Sequence, residues 1–310
     1  MVLAPSPADT LFGYMRIGLG CMGLSGLFGH VERSAAIRTI HKAIDCGIRH
    51  FDTAELYGPF IGEKILAEAL SQSSAVVSVA TKVGYKFSGN KMAGLDGSSK
   101  SIRLAVEGSL RRLNVECVDL VYLHRVDPNV PLEESLQALA DCKREGKIGS
   151  IGLSKVTEET VLSADKIATV SAVQNEYSVL KKPNKLGLVS SVKKDDKVLI
   201  AYSPLARGLL TDNARKKEHL NKNDFRRTDP RFEDAQLKSI KEATAILRDI
   251  AKSHHVSPEA IALSWLLGFS DNLAVIPGCR SEKQVLSAIS ASTVKLSQVE
   301  MDEISLIDCK

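Results

Sequence analysis

The sequence predicts an α/β fold, a single closed (β/α)8 barrel of the TIM type that occupies residues 1–310. From residue 15 onward, short apolar runs rich in β-branched residues alternate with longer segments of helical period. We count eight such strand–helix units, which favour a closed barrel over an open doubly wound sheet. No Gly-, Ser- or Pro-rich linker divides the chain, and its length is ordinary for one barrel domain.

Each predicted strand is a short apolar run that ends in a polar residue or a turn residue. In chain order the strands are predicted at 15–20, 48–52, 76–82, 118–124, 148–153, 170–174, 198–202 and 273–277. Two extended loops, 83–98 and 207–234, follow strands three and seven and are therefore expected on the same face of the barrel. Long loops inside a compact domain are usually functional.

The segments between the strands show helical periodicity, and several carry helix-start signals. Pro131 precedes Leu132-Glu133-Glu134, and Ser257 precedes Pro258-Glu259. The helices are predicted at 33–46, 61–72, 99–114, 132–145, 157–166, 184–194, 236–269 (at least two helices) and 281–291.

Composition narrows the classes of protein to which the chain can belong. Hydrophobic residues make up 44% and charged residues 25%, which excludes a disordered or fibrous chain. The 41 basic and 37 acidic residues leave a net charge of +4 without a dense basic run, so we expect no nucleic-acid partner. The six cysteines form no C-x-x-C pair, and we see neither a secretory leader nor a long apolar run. These features predict a cytoplasmic protein with no membrane partner.

Polar or aromatic residues stand at the end of six successive predicted strands. In barrels of this type the active site lies at the carboxyl ends of the strands. Six such endings therefore indicate a pocket with a polar floor. The residues are Asp52, Lys82, His124, Ser154, Gln174 and Tyr202, with Lys155 and Ser203 directly after two of them.

Four of the residues in this region form a plausible proton-delivery device for reducing a carbonyl group. Tyr57 lies five residues after Asp52, in the loop over the same strand ends. An ammonium at Lys82 favours the phenolate form and lowers the pKa of a neighbouring tyrosine, while a carboxylate holds the lysine charged. A neutral imidazole at His124 donates a hydrogen bond to a carbonyl oxygen.

Seven motifs in register give the chain its resemblance to a known family. It resembles the aldo-keto reductases, most closely the branch with microbial and plant aldehyde and ketone reductases and the β-subunits of voltage-gated potassium channels. The motifs are FDTAELYG, VATKVG, DLVYLHRVD, EGKIGSIGLS, QNEYSVL, AYSPLARGLL and VIPGCRS. The resemblance implies a (β/α)8 barrel that binds NADPH/NADP+ and reduces a small-molecule carbonyl substrate. It places the catalytic tetrad on Asp52, Tyr57, Lys82 and His124, with Tyr57 as proton donor.

The resemblance also implies a set of cofactor contacts along the strand ends. Ser154 and Gln174 would hold the nicotinamide carboxamide, Tyr202 would stack on its ring, and Arg207 would lie along the pyrophosphate. Residues 20–22 would line the nicotinamide ribose. The full set is Gly20, Cys21, Met22, Ser154, Gln174, Tyr202, Ser203, Pro204, Leu205, Arg207, Gly208, Pro277, Gly278, Arg280 and Gln284.

At the adenosine end, the same resemblance implies that Arg280 binds the 2′-phosphate through a bidentate guanidinium contact and that Gln284 lies against the adenine. Two positions depart from the family pattern. Lys155 stands where the family commonly has Asn or Glu, and Ala288 replaces an Asn often found near the adenine.

Two apparent motifs do not predict a site. Gly18–Gly23 fits G-x-G-x-x-G after a strand, but no helical pattern begins at Gly23, and a dinucleotide fingerprint requires a helix N-terminus there. His254 and His255 are neighbours on a predicted helix and face different ways, so we expect no metal site.

Two other functions remain open from the sequence. One is a nucleotide-sensing regulatory subunit on the same barrel, which would bind NADPH and turn over slowly. The other is a Schiff-base lyase that uses Lys82 as nucleophile, which needs a lowered lysine pKa. Arg125 and Lys86 favour an anionic or hydroxylated aldehyde, although surface charge accounts for them equally well. The sequence names neither an individual substrate nor an oligomeric state.

Overall fold

The structure, a computed structural model, describes residues 7–182, 196–222 and 224–307, together with residues 188 and 192. Eight parallel strands form one sheet, in which each strand pairs with the next one along the chain. Backbone hydrogen bonds from Gly18 to Val275 (2.8 Å) and from Gly20 to Pro277 (3.1 Å) join the first strand to the last. The strands are β1 Leu19–Gly20, β2 His50–Asp52, β3 Ser78–Val83, β6 Val118–Leu123, β7 Ile148–Ser154, β8 Val170–Glu176, β9 Val198–Tyr202 and β10 Leu273–Ile276. The predicted (β/α)8 barrel is confirmed.

Helices alternate with these strands around the outside of the barrel. They are α1 Pro7–Phe12, α2 Arg33–Asp45, α3 Ile61–Ser71, α4 Ser99–Leu113, α5 Leu132–Arg144, α6 Glu158–Asp165, α7 Asp234–His254, α8 Pro258–Leu267, α9 Glu282–Ile289 and α10 Gln298–Leu306. The helix predicted at 184–194 falls largely outside the described residues.

The start signals act as expected, because α5 begins directly after Pro131 and the Ser257 side chain accepts a hydrogen bond from the Ala260 N–H. Within the described part of the chain, no helix has the length and apolar character needed to cross a bilayer.

The barrel interior is packed rather than open. Small and branched side chains such as Ala80, Leu120 and Ile200 fill it, and they form one buried cluster with Phe12 of α1. The Phe12 ring packs on His50 at a centroid distance of 4.1 Å, so α1 closes the end of the barrel at which the strands begin. The polar residues at the strand ends therefore lie at the opposite end of the barrel, where the strands finish.

Several elements differ from the sequence prediction. The segment 83–98, expected to be a loop, contains a hairpin of β4 Tyr85–Ser88 and β5 Lys91–Leu95, turning at Gly89 with φ 58°. Its outer strand is exposed and lacks apolar alternation, so the sequence carries no strand signal there. Helices α1 and α10 were not predicted either. After β1, Cys21–Ser25 form a short 3-10 helix rather than an α-helix, as expected for a chain that lacks a dinucleotide fingerprint.

Candidate active site

Four side chains predicted to act together meet at the carboxyl end of the barrel. Asp52 is the last residue of β2, Lys82 lies next to the last residue of β3, and His124 follows β6. Tyr57 comes from the turn between β2 and α3, where its N–H donates to the Ala54 carbonyl at 3.0 Å. That turn continues through Gly58 at φ 74°, a conformation that glycine adopts without strain.

Lys82 joins the other members of this group. Its ammonium donates to a carboxylate oxygen of Asp52, to the Tyr57 hydroxyl at 3.1 Å and to the Thr53 carbonyl at 2.8 Å. The second carboxylate oxygen of Asp52 accepts a hydrogen bond from Gln174 Nε2 at 2.7 Å. Lys82 and Asp52 are each only 1% exposed, so this ion pair is withdrawn from solvent.

The electrostatics of the group keep Lys82 charged. Burial opposes the ammonium, but the Asp52 carboxylate and Tyr57 together raise the pKa of Lys82 above its ordinary value. Burial raises the pKa of Tyr57, and the Lys82 charge acts in the opposite direction. The Lys82 charge therefore lowers the tyrosine pKa as expected, but desolvation raises this pKa by more. Tyr57 is a neutral phenol in contact with a cation.

His124 is held neutral beside this pair. Burial lowers the pKa of His124 well below its usual range, and the charges of Lys82 and Arg125 lower it further. Its ring packs edge-on against Tyr57 and Tyr85, at centroid distances of 6.3 and 5.0 Å. Its Nδ1 atom is buried without a hydrogen-bond partner in the described structure. Tyr85 was not singled out from the sequence, because it belongs to the unpredicted hairpin.

A cavity of about 250 Å³ extends from Asp52 and Tyr57 across the strand ends to α9. Most of the residues predicted to contact a cofactor line it. These are Gly20, Met22, Tyr202, Ser203, Pro204, Leu205, Arg207, Gly208, Gly278, Arg280 and Gln284. Four others lie outside its wall, namely Cys21, Pro277, Ser154 and Gln174. At Gly20 a Cβ would lie 2.9 Å from the Ile276 carbonyl oxygen, so the close approach of β1 to β10 requires glycine.

Three arginines meet at the far end of the cavity. Arg280 donates from Nη2 to the carbonyls of Gly29 (3.1 Å) and His30 (3.0 Å), while its Nε is buried without a partner in the described structure. Arg226 and Arg215 line the same wall. Burial lowers the pKa of Arg280, and the charges of Arg226 and Arg215 add to that effect. A group of three arginines, one of which has an N–H donor without a hydrogen-bond partner, suits a polyanionic ligand.

The segment after β9 contains two Asp-x-Arg turns that were not predicted from the sequence. Asp224 binds the Arg226 guanidinium at 3.0 and 2.8 Å, and Asp229 binds Arg231 in the same manner. Arg207 also pairs with Asp229, at 2.7 Å, so its charge is partly compensated inside the protein. The repeated spacing of Asp and Arg in this segment is a signal from which these turns could have been predicted.

The two departures from the family pattern have different structural consequences. The side chain of Lys155 is exposed, and its backbone has a φ angle of 56°. Its N–H donates to the Gln174 carbonyl at 2.9 Å. The neighbouring Ser154 hydroxyl accepts a hydrogen bond from Arg125 at 3.1 Å. Ala288 lies in the cavity wall beside Gln284, whose side chain accepts a hydrogen bond from the Arg280 N–H at 2.7 Å.

Comparison with known proteins agrees with this architecture. The model of the aldo/keto reductase family matches residues 16–308. A probable aldo-keto reductase 1 of Glycine max is 33% identical over 295 residues, 94% of this chain and 85% of that protein. The aldo-keto reductase yakc (NADP(+)) of Schizosaccharomyces pombe is 32% identical over 297 residues, 93% of this chain and 86% of that protein. A glycerol dehydrogenase structure from Gluconobacter oxydans aligns with TM-score 0.85 and 30% identity, covering 93% and 90% of the two chains. The chain therefore belongs to the aldo/keto reductase family.

Proposed function

We propose that this chain is an NADPH-dependent oxidoreductase that reduces aldehydes or ketones to alcohols, working as one barrel domain over residues 1–310. The observation that carries the proposal is the contact of one buried ammonium, Lys82, with both the Asp52 carboxylate and the Tyr57 hydroxyl. Beside it lies the neutral imidazole of His124. A cation, a phenol and a neutral imidazole at one pocket are the groups that carbonyl reduction needs.

The residues that line the cavity suit a phosphorylated dinucleotide. Tyr202 offers an aromatic face near Tyr57, and the arginine group at the far end offers the buried, unpartnered Nε of Arg280. We assign Arg280 to the 2′-phosphate and the turn 203–208 to the pyrophosphate. When bound, NADPH supplies the hydride. The NADP(+) in the name of the Schizosaccharomyces pombe relative is consistent with this assignment.

Gln174 and Ser154 lie beyond the cavity wall, so their proposed contact with the nicotinamide carboxamide needs a local rearrangement. In the structure, Gln174 Nε2 donates to Asp52, and the Ser154 hydroxyl accepts a hydrogen bond from Arg125 at 3.1 Å. Gln174 nevertheless contacts Asp52 of the tetrad, and Ser154 contacts Arg125, the residue that follows His124. We propose that both residues bind the cofactor.

In the proposed reaction Tyr57 donates its proton to the substrate oxygen as negative charge develops there. Lys82 stabilises the phenolate left behind, which makes the neutral phenol a stronger acid than burial alone would allow. Asp52 keeps Lys82 protonated and holds it against Tyr57. Since the pKa of Lys82 is raised, a role for it as a Schiff-base nucleophile is disfavoured.

His124 orients the substrate in this proposal. Because His124 is neutral, one ring nitrogen carries a proton and can donate it in a hydrogen bond to the carbonyl oxygen. Its Nδ1 is buried without a partner in the described structure, so we assign Nε2 as the nitrogen that faces the substrate. The edge-on packing of Tyr85 fixes the plane of the ring.

The proposal is tested by following NADPH consumption with a panel of aldehydes and ketones. We expect steady-state turnover that depends on the carbonyl compound and falls by at least about two orders of magnitude in Tyr57→Phe. Tight NADPH binding without turnover on any member of the panel would instead support a nucleotide-sensing subunit. No binding of NADPH would contradict both functions.

A further inference from the structure

Arg125 occupies a distinctive place next to the tetrad. It follows His124 directly, and its side chain is half-buried. Its Nη1 donates to the His124 carbonyl and to the Ser154 hydroxyl, the latter at 3.1 Å. The guanidinium therefore lies across the ends of β6 and β7. Its charge partly offsets the effect of burial, which raises the pKa of Tyr202 at the end of β9. Arg125 thus contacts His124 and Ser154, two residues predicted to belong to the site.

The guanidinium keeps one recognition edge free. Nη1 carries two hydrogens, and the two contacts above use both of them. Nε and Nη2 form the other edge of the fork, and neither has a partner within the described ranges 7–182, 196–222 and 224–307. Neither atom is fully buried, so this edge of the guanidinium is accessible to a ligand. An Nε–Nη2 edge matches a carboxylate in a bidentate contact.

The acidic residues near Arg125 are engaged elsewhere. Asp127 accepts hydrogen bonds from the backbone N–H groups of Gly97 (3.1 Å) and Asn129 (2.9 Å). Glu176 forms ion pairs with Lys181 (3.1 Å) and Arg231 (2.9 Å). No carboxylate of the described residues lies within 4.0 Å of Arg125. A half-buried cation at an active site therefore lacks a protein counter-charge.

We propose that Arg125 determines substrate specificity by binding a carboxylate on the carbonyl substrate. The substrate class is then the carbonyl compound that carries a carboxylate close to its aldehyde or ketone group. This inference rests on the proposed reductase function, because it assigns the substrate of the same site. The competing role, in which Arg125 only positions Ser154 for the cofactor, predicts an equal effect on charged and neutral substrates.

The test compares matched substrates in three proteins. Wild type, Arg125→Met and the control Lys64→Met are assayed with 2-, 3- and 4-carboxybenzaldehyde, with succinic semialdehyde, and with the neutral compounds benzaldehyde and butanal. Lys64 is exposed on α3, away from the cavity, so its variant removes one positive charge without touching the site. The readout is the ratio of kcat/KM for the charged substrate to kcat/KM for its neutral counterpart.

We expect wild type to favour at least one carboxylated aldehyde, and Arg125→Met to lower that ratio by roughly 10-fold or more, as the loss of a charge-assisted pair implies. Lys64→Met should leave the ratio unchanged. Equal losses on charged and neutral aldehydes in Arg125→Met would overturn the proposal and leave only the Ser154 role. An unchanged ratio would overturn it as well.

A binding measurement separates failure of this inference from failure of the proposed function. Benzoate, which carries the carboxylate but cannot be reduced, is titrated into each protein by calorimetry in the presence of NADP+. We expect roughly 10-fold weaker benzoate binding to Arg125→Met than to wild type and Lys64→Met. This result with no turnover of any aldehyde would contradict the reductase function alone. Equal benzoate affinity in all three proteins would contradict the role of Arg125.

Discussion

The Tyr57 hydroxyl oxygen lies 3.1 Å from the Lys82 ammonium, and both side chains are buried. This distance places a neutral acid against a cation that a second residue, Asp52, keeps charged. Desolvation raises the cost of forming the phenolate, and the ammonium lowers it again. The proposed acid is thus controlled by two opposing influences, and mutation of Lys82 removes one of them.

Tyr57→Phe removes the proposed proton donor and leaves the ring in place. We expect kcat to fall by at least about two orders of magnitude, the usual contribution of a positioned general acid. NADPH affinity should change little, since the hydroxyl contacts Lys82 rather than the far end of the cavity. Steady-state kinetics and a fluorescence titration of NADPH measure the two quantities. A variant that reduces its best aldehyde at nearly the wild-type rate would contradict the assignment.

Lys82→Met removes the charge beside Tyr57 and nearly preserves side-chain length. The tyrosine pKa should rise further, because only the ammonium opposes desolvation. We expect turnover to be lost, and any residual alcohol oxidation to move to higher pH, since that direction needs the phenolate as base. Lys82→Arg should restore only part of the activity, because a planar fork does not replace a compact ammonium. Full activity of Lys82→Met at neutral pH would show that the two residues do not act as one acid.

The parts of the fold that were predicted are those set by local pattern. Asp52, Lys82 and His124 were predicted at one edge because parallel strands of a barrel all end on the same face. Their strands are short apolar runs whose ends differ from the prediction by only a residue or two. The meeting of these three residues follows from topology, and no knowledge of individual contacts was needed.

The contacts that were missed depend on residues far apart in sequence. Arg226 reaches the cavity because the Phe225 N–H donates to the Leu27 carbonyl at 3.1 Å and the Arg226 guanidinium lies 5.1 Å from the centre of the Phe28 ring. Nothing in the polar, charged segment 207–234 indicates by itself that it crosses to that loop. Tyr85 was missed for a similar reason, because its hairpin is paired outside the barrel.

Gly152→Ala tests how tightly the barrel is filled beneath the site. The ring of Tyr122 occupies the space that a side chain at 152 would take, so an added Cβ would lie 2.6 Å from its Cε1. The backbone oxygen of Ala172 lies 3.2 Å from the same point and prevents a simple shift. We expect a loss of about 1–3 kcal/mol in the free energy of unfolding, typical of overpacking.

Urea denaturation of Gly152→Ala, Tyr122→Leu and the double variant checks this expectation. The smaller leucine should make room for the new methyl group, so the double variant should lose less stability than the two single losses together. Strict additivity of the two losses would indicate that the residues do not compete for space.

Arg280→Ala tests the choice of cofactor. A guanidinium contact with a phosphate contributes about 1.5–3 kcal/mol, so we expect NADPH affinity to fall by roughly 10- to 150-fold. Because Arg280 also binds the Gly29 and His30 carbonyls, some loss for NADH is expected from loosening of that loop. The ratio of the two affinities is therefore the informative quantity. Fluorescence titration of both cofactors measures it, and equal losses would show that Arg280 does not bind the 2′-phosphate.

Arg226→Gln serves as the comparison for Arg280. Its guanidinium is already bound by the Asp224 carboxylate at 2.8 Å, so less of its charge is available to a ligand. We expect a smaller change in the NADPH-to-NADH affinity ratio than in Arg280→Ala. A larger change would identify Arg226 as the main phosphate ligand.

Glu55→Gln should stabilise the protein at alkaline pH. Glu55 is 3% exposed, and its carboxylate accepts a hydrogen bond from the Tyr85 N–H at 3.3 Å. Burial raises the pKa of Glu55 to about 7, and the nearby Glu63 adds to the shift. When the pH is below the unfolded pKa, an acid whose pKa is raised on folding does not reduce the stability of the protein. It reduces stability progressively as the pH rises from the unfolded value to the folded value, and the loss is complete above the folded value.

The expected difference between Glu55→Gln and wild type therefore depends on pH. Glutamine keeps the acceptor for Tyr85 and cannot ionise, so the two proteins should have similar stability near pH 4.5. At pH 8 the variant should be more stable, by up to about 3 kcal/mol. Urea denaturation at several pH values measures this gap, with the exposed Glu116→Gln as a control for loss of one negative charge. A gap that is the same at pH 5 and pH 8, or that appears equally in the control, would show that ionisation of Glu55 does not limit stability.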